Sequence, residues 1–268
     1  EEEGARGYDD REDHFSPGEF RFTVGKGTEE LNLLAVGGDP KGEVFDPLYK
    51  GINDLVRLEI ERRKALLPKE EHPDPIQALL LAADAFLMDG PQGKGIVAGY
   101  PWFGEWGRDT MIALPGLTLV TGRFEVAKCI LKKYASHARR GLIPNLFVEG
   151  GEAEYNSADA SLWFLQAVGR YLGYTQDYAF VKKELWPTVK GIVEAYRDGT
   201  DYNIHMDRDG LVSAGAPGVQ LTWMDAKVGD QVITPREGKA VEVNALWYSG
   251  LRLAAELAQR FGEKDEYG

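Results

Sequence analysis

Apolar residues recur every three or four positions from Pro75 onward, which is the spacing of one face of an α-helix. Some of these stripes leave a charged opposite face, and we predict that such helices lie on the outside of the fold. Other segments carry little or no charge, and we predict inner helices there that are buried nearly all round. The outer helices are expected over residues 76–87, 127–138 and 185–196, and the inner ones over residues 110–120, 160–169 and 245–257.

Outer and inner helices alternate along the chain, and short connections join them. The sequence lacks the repeats of about 34 or 40 residues that mark TPR and HEAT solenoids. The alternation therefore predicts a mainly α protein in which helical hairpins form a ring, an α/α toroid, with a generic helical bundle as the alternative. We expect this domain to occupy residues 75–268.

A small β segment is predicted before the helical domain. Phe20, Phe22 and Val24 alternate with polar residues and lead into a glycine turn at residues 25–27, as in a β-hairpin. We interpret residues 1–47 as the tail of an N-terminal β domain. A charged amphipathic helix follows from Leu48 to Leu67 and is broken by proline, so residues 48–74 are predicted to be a linker.

Composition excludes several classes of function. The 268 residues carry 31 Lys and Arg against 43 Asp and Glu, a net charge of −12 that would repel nucleic acid. No apolar run reaches the length of about 18 residues that indicates a membrane span, and the first thirty residues do not resemble a secretory signal. One cysteine and four scattered histidines form no metal-ligand motif. We therefore predict a cytoplasmic protein without nucleic-acid, membrane or metal partners.

Each inner helix is preceded by a segment rich in polar and aromatic residues. These segments are residues 100–109, residues 152–159, and residues 222–225 together with 234–242. Inner helices of a toroid run roughly parallel, so the segments that precede their N-termini gather at one end of the ring. The sequence therefore predicts that three separate segments converge on one pocket.

The residues of this pocket suit a neutral carbohydrate. Sugars have apolar C–H faces and hydroxyl groups that both donate and accept hydrogen bonds, so they favour aromatic rings together with planar polar groups. A phosphorylated ligand would require more lysine and arginine. The aromatic candidates are Trp102, Trp106, Tyr155 and Trp223, and the polar ones are Arg108, Asp109, Asn156, Asp159 and Asp225.

Each candidate also has a purely structural interpretation. Asp109 and Asp159 stand at helix starts, where aspartate commonly caps the helix. Asp225 lies in a glycine-rich loop, where aspartate is a common turn residue. Trp102 and Trp106 could anchor a loop or the core. The arrival of all these residues at equivalent places before three helices favours a binding site.

Five ordered motifs resemble the glucosidase portion of glycogen debranching enzymes, over roughly residues 75–262. The resemblance implies a barrel of six helical hairpins, the amylo-α-1,6-glucosidase reaction and an inverting mechanism similar to that of glucoamylases. The motifs are Trp106-Gly-Arg-Asp-Thr-Met-Ile-Ala-Leu-Pro-Gly116, Val120-Thr-Gly-Arg123, Gly141-Leu-Ile-Pro-Asn145, Tyr155-Asn-Ser-Ala-Asp159 and Thr222-Trp-Met-Asp225.

Carried over residue by residue, the resemblance implies that Asp225 is the general acid and that Arg108 and Asp109 hold the terminal glucose. Asn156 and Asp159 match the second substrate-contacting motif. The family's catalytic base is a glutamate in a later segment, and about six of the twelve barrel helices are recognisable here. We therefore expect an incomplete (α/α)6 barrel that is inactive alone and that associates with the remainder of the barrel or with itself.

The chemistry of glycoside hydrolysis supports these roles. Cleavage requires one carboxyl group that protonates the leaving oxygen and a second carboxylate that activates water or attacks the sugar. Trp223 and Met224 would give Asp225 an apolar setting that favours its protonated form. Glu242 is the candidate for the second carboxylate within the chain, although its place at a helix start favours a capping or sugar-contacting role. Water and two carboxyl groups suffice, so no cofactor is expected.

The sequence thus predicts a glycoside hydrolase that releases glucose from the α-1,6 branch stubs of a glycogen-type limit dextrin. Two alternatives remain open at this point. A glucoamylase-like or trehalase-like exo-glucosidase could use the same scaffold. A non-catalytic glucan-binding fragment would bind the same α-glucan without turnover.

Overall fold

A computed structural model describes residues 19, 21, 23, 25–27, 52–67, 69, 72–90, 93–148 and 151–263. Most of these residues are helical, which confirms the prediction of a mainly α protein. The strands predicted around Phe20, Phe22 and Val24 lie outside the described residues. The chain divides after Leu81 into two units.

Two helices account for most of the described residues of the first unit. Helix α1 spans Ile52–Ala65 and ends before Pro68, close to the predicted bounds of the linker helix. Its charged surface carries the ion pairs Arg57–Asp54 and Arg62–Glu59, each between residues three positions apart. The next helix, α2, spans Asp74–Ala85, and the division between the units falls within it.

The second unit contains the three predicted inner helices, which are α3 (Gly107–Leu114), α5 (Ala160–Thr175) and α8 (Val241–Phe261). A π-helical turn, Pro115–Leu119, extends α3. Two helices cover the outside, namely α4 (Phe124–Ser136) and α7 (Trp186–Asp198), and α7 follows the short helix α6 (Tyr178–Phe180) and a second π-helical turn, Val181–Leu185. Helix α5 packs between α3 and α8, and the apolar faces of α4 and α7 close the core.

The prediction that all three inner helices are buried nearly all round holds only for α5. Its residues 160–169 are all buried or half-buried. By contrast, Ile112 of α3 is 48% exposed and Tyr248 of α8 is 65% exposed. The reason is geometric: within the described part of the chain α5 packs against an inner helix on each side, whereas α5 is the main inner-helix neighbour of both α3 and α8.

Three small hairpins connect the helices. Strands β1 (Leu87–Gly90) and β2 (Gly93–Ile96) precede α3, and β3 (His205–Met206) pairs with β4 (Val212–Ser213). The third hairpin joins β5 (Lys227–Val228) to β6 (Gln231–Val232) and follows Asp225 directly. All three hairpins are antiparallel, and they lie in the connections between helices.

Backbone hydrogen bonds join the three segments that precede the inner helices. The amide of Gly107 donates to the carbonyl of Asn145 at 2.8 Å, and the amide of Asn145 donates to the carbonyl of Glu154 at 2.6 Å. The amide of Ala158 donates to the carbonyl of Leu221 at 2.7 Å. The segments therefore converge at the N-terminal ends of α3 and α5, because each is bonded to the next.

Gly107 lies where these segments meet, and the structure leaves no space for a side chain there. A Cβ atom there would lie 2.0 Å from the carbonyl oxygen of Pro144, which is rigid backbone. We expect Gly107→Ala to destabilise the protein by about 1–3 kcal/mol or more, because the first turn of α3 must shift away. Gly104→Ala is the matched control, since nothing lies within 4 Å of the added carbon. Equal urea midpoints for the two variants would contradict this account.

Candidate active site

Arg108 lies at the centre of the converged segments. Its Nε atom donates to both carboxylate oxygens of Asp159 at 2.9 Å, and its Nη1 atom donates to Oδ2 of Asp225 at 3.1 Å. Nη2 lies 3.5 Å from the hydroxyl of Ser157. One guanidinium group, nearly buried, thus joins residues contributed by all three segments.

Asp159 does not cap its helix. It occupies the N-cap position of α5, but its side chain makes no capping hydrogen bond. Ser157 acts instead, because its hydroxyl accepts from the amide of Ala160 at 3.1 Å and donates to Asp159 at 2.7 Å. The capping interpretation of Asp159 is therefore wrong, and its carboxylate, 1% exposed, is engaged by Arg108 and Ser157.

Asp225 occupies a more open position than the sequence predicts. Its carboxylate is 43% exposed and accepts a hydrogen bond from Arg108, so the expected apolar setting is not found. The preceding Trp223 is itself 55% exposed. Asp225 is consequently the accessible end of a buried ion-pair network that begins at Asp159.

Asp109 lies within the first turn of α3, beyond the N-cap residue Trp106, and therefore does not cap the helix. Its carboxylate borders an apolar cleft of about 460 Å³ that Phe86 and Ile112 line. This desolvation raises the pKa of Asp109, Arg108 acts in the opposite direction, and the negative charges of Asp225 and Asp159 add to the rise. Burial lowers the pKa of Arg108, but its three aspartate neighbours outweigh burial and raise it.

Glu242 is held by an arginine that the sequence interpretation did not single out. Arg236 donates to both oxygens of Glu242, at 2.8 Å for Nη2, and this bond is the main cause of the lowered pKa of Glu242. The indole of Trp223 also donates to Glu242 and lowers its pKa further. The N-cap residue of α8 is Ala240, so Glu242 is not a cap.

The remaining candidates surround this centre. Tyr155 is half-buried and its hydroxyl donates to the carbonyl of His137 at 2.8 Å. Asn156 accepts from the side-chain amide of Asn145 at 3.3 Å. Trp106 is half-buried at the start of α3, and Trp102 is 48% exposed.

Three residues of the site were not singled out from the sequence. Ser157 lies inside the Tyr-Asn-Ser-Ala-Asp motif, and Arg236 lies inside the polar segment before α8. Their places in these candidate segments were the signal that could have identified them. Asn145 ends the Gly-Leu-Ile-Pro-Asn motif. Its Oδ1 atom is buried without a hydrogen-bond partner among the described residues, a feature that only the structure reveals.

Replacing Asp109 with Asn tests whether this carboxylate is kept for function. A raised pKa in the folded state means that the folded protein holds its proton more tightly, so ionisation of Asp109 costs stability as pH rises above about 3.9, the ordinary value. We expect Asp109→Asn to stabilise the protein at neutral pH, by less than about 1 kcal/mol because the group is exposed, and the gain to vanish below that pH.

The control is Glu125→Gln, which removes the carboxylate in the first turn of α4. Acidic residues there stabilise a helix by about 0.3–1 kcal/mol, so this variant should lose stability at neutral pH. Thermal unfolding of both variants at neutral and acidic pH is the measurement. If Asp109→Asn lost stability in the same way as Glu125→Gln, Asp109 would be a helix-stabilising charge only.

In the described part of the chain, no three histidine, cysteine, aspartate or glutamate residues are grouped so that they could hold a metal ion. None of the helices described is both long enough and apolar enough to cross a bilayer.

A mainly helical fold with carboxylates and exposed indole rings before its inner helices has the features of a glycoside hydrolase. The family model for amylo-alpha-1,6-glucosidase matches residues 81–268, and the chain belongs to this family. The sequence is also 30% identical over 246 residues to the glycogen debranching enzyme of Saccharomyces cerevisiae. That alignment covers 69% of this chain and 16% of the yeast protein, so the chain spans about a sixth of the length of this curated relative.

Proposed function

We propose that this chain provides the glucose-binding and proton-donating part of a glucosidase that releases glucose from the α-1,6 branch stubs of a glycogen-type limit dextrin. The network that runs from buried Asp159 through Arg108 to accessible Asp225 is the observation that carries this proposal. It is supported by the family to which the chain belongs and by the name of its yeast relative. We also place the protein in the cytoplasm, where a glycogen-type substrate is stored.

The terminal glucose is held at the N-terminal end of α3. Asp109 is exposed and accepts hydrogen bonds from sugar hydroxyl groups, while Arg108 is fixed by Asp159 and donates. The exposed ring of Trp223 offers a flat apolar surface to the C–H face of the sugar. These three groups together match both the polar and the apolar sides of a pyranose ring.

Asp225 serves as the general acid. Its only hydrogen bond from Arg108 comes through Nη1, whereas Nε keeps two bonds to Asp159. The glycosidic oxygen can therefore replace Nη1 as the partner of Asp225 while Arg108 stays in place. Asp225 first takes up a proton from solvent in exchange for its bond to Nη1, and it then transfers that proton to the glycosidic oxygen. The leaving hydroxyl departs as the bond to the anomeric carbon breaks.

An inverting mechanism requires a second carboxylate that activates water from the opposite face, about 6.5–9.5 Å from the acid. Asp159 and Glu242 are each engaged by an arginine, and Asp109 is assigned to the sugar hydroxyls. Glu242 keeps a sugar-contacting role, because it lies at the start of α8 and is only partly buried beside Arg236. The mechanism therefore needs a carboxylate beyond these three and Asp225.

The same proposal extends to the architecture. We place α3, α5 and α8 as consecutive inner helices of an α/α toroid, in which the exposed stripes of α3 and α8 face further inner helices. Ile112 and Tyr248 are the apolar residues that such neighbours would cover. Those neighbours belong to the remainder of the same barrel or, failing that, to a second copy of the chain.

The test compares two substrates with the natural full-length protein. One is a dextrin whose branch is a single α-1,6-linked glucose, and the other is a linear α-1,4 malto-oligosaccharide of equal size. We expect glucose release from the branched substrate at a rate at least tenfold higher. Preferential release from the linear substrate would favour an exo-glucosidase, and binding of both without release would favour a glucan-binding protein.

A further inference from the structure

An open cleft of about 570 Å³ lies beside the Arg108 network and is not part of it. It is bounded by the loop that follows α4, the segment before α5 and the turn that follows α7. Its lining includes two tyrosines, one arginine, one amide and two carboxylates, which are Tyr155, Tyr202, Arg139, Asn156, Glu154 and Asp201. Only Tyr155 and Asn156 belong to the candidate site already described.

Asp201 pairs with Arg140 at 3.3 Å and the hydroxyl of Tyr155 donates to the carbonyl of His137, so Arg139 and Tyr202 are the groups of the cleft best placed to bind a ligand. In the described part of the chain no carboxylate forms an ion pair with Arg139, whose guanidinium lies 6.0 Å from the ring centre of Tyr155. Burial together with the charges of Asp201 and Glu154 raises the pKa of Tyr202, which Arg139 opposes, so its hydroxyl stays a donor at neutral pH. Donors, acceptors and two flat rings therefore line one open space.

Tyr202 reaches the cleft through an unfavourable backbone conformation. Its φ of 60° and ψ of 27° are left-handed, as is the φ of 54° at Asn203. A bulky residue rarely adopts this conformation, and such outliers concentrate at functional sites. The amide of Gly215 donates to the carbonyl of Tyr202 at 3.1 Å and that of Thr200 donates to Ile204 at 2.9 Å, so the turn is fixed by its neighbours.

The cleft is close enough to Arg108 to share one ligand with it. Tyr155 and Asp159 are four residues apart, so their Cα atoms are separated by at most about 14 Å even in a fully extended chain. Asn156 lines the cleft and contacts Asn145, whose carbonyl accepts from the residue before Arg108. A short oligosaccharide can span this distance.

We propose that this cleft binds the glucan chain that carries the branch, while its terminal glucose occupies the Arg108 site. The proposal rests on the proposed function for the identity of the ligand, a neutral α-glucan. Tyr155 and Tyr202 provide the flat surfaces for successive sugar rings, and Arg139 donates to their hydroxyl groups. The left-handed turn places Tyr202 in the lining of the cleft.

The experiment measures two affinities by titration calorimetry, one for maltopentaose and one for a glucose-like iminosugar. We expect Arg139→Gln and Tyr202→Asn each to weaken maltopentaose binding at least tenfold and to change iminosugar affinity less than twofold. Asparagine tolerates a left-handed backbone, so the turn should persist, as a thermal melt would verify. Tyr202→Phe should keep most of the affinity because it keeps the ring, and Arg208→Gln, at an exposed hairpin turn, is the matched control.

Unchanged maltopentaose affinity in both variants would overturn the proposal, as would a wild-type protein that binds no maltopentaose. Measured on the natural full-length protein, failure of this proposal and failure of the proposed function give different results. If the wild-type protein releases glucose and the cleft variants bind maltopentaose normally, the cleft proposal is wrong and the proposed glucosidase function stands. If the cleft variants weaken maltopentaose binding but the wild-type protein releases no glucose, the proposed glucosidase function is wrong and the cleft remains a glucan-binding site.

Discussion

Replacement of Asp225 by Asn is expected to lower glucose release from a limit dextrin by about 10²–10⁴-fold or more, because the amide cannot protonate the leaving oxygen. The amide oxygen can still accept the hydrogen bond from Nη1 of Arg108. Folding and glucan affinity should therefore remain nearly intact. The measurement is the steady-state rate of glucose release together with a thermal melt and a binding titration of the same preparation.

Asp230→Asn provides the matched control, since this exposed aspartate lies five residues further on, in the turn of the β5–β6 hairpin. It should keep the parental rate. An Asp225→Asn variant that retained more than half of the parental rate would remove Asp225 from the mechanism.

Arg108→Met is expected to produce the largest loss of stability, about 3–5 kcal/mol, because it leaves the buried carboxylate of Asp159 without its partner. Methionine approximates the arginine stem, so the loss should come from the uncompensated charge and not from a cavity. Equilibrium unfolding in urea measures the change in the free energy of unfolding.

Two further variants separate charge from packing. Arg108→Met combined with Asp159→Asn should recover most of the lost stability, because replacing both partners of a buried ion pair is often nearly neutral. Arg170→Met, at an exposed position of α5, should change stability by less than about 0.5 kcal/mol. A double variant as unstable as Arg108→Met alone would show that the arginine stem, and not the ion pair, supports the fold.

The helices were predictable because burial leaves a simple signature in sequence. The apolar stripe of 127–138 and the uncharged run of 160–169 correspond to α4 and α5 within a few residues. The convergence of three polar segments was also predictable, since it depends only on where the inner helices begin. The exposed stripes of α3 and α8 were not predictable, because the charge content of a helix does not show how many other helices pack against it.

The details of the site depend on partners distant in sequence, and for that reason the sequence could not supply them. The sequence suggests that Asp159 caps its helix, but in the structure the hydroxyl of Ser157 takes that role. The sequence places Asp225 next to Trp223 and suggests an apolar setting. In the structure its carboxylate instead accepts a hydrogen bond from Arg108, 117 residues earlier in the chain, at the open end of an ion-pair network. The ion pair between Arg236 and Glu242 likewise depends on the conformation of the loop between them. The spacing of apolar residues does not predict that conformation.

The crystal structure of the natural full-length protein with a bound glucose-like iminosugar tests the central claim most directly. We expect the sugar at the N-terminal end of α3, with Asp109 and Arg108 within hydrogen-bonding distance of its hydroxyl groups and Asp225 facing the position of the leaving oxygen. A sugar bound elsewhere, with the Arg108–Asp225 bond undisturbed and Asp109 free of contact, would contradict it.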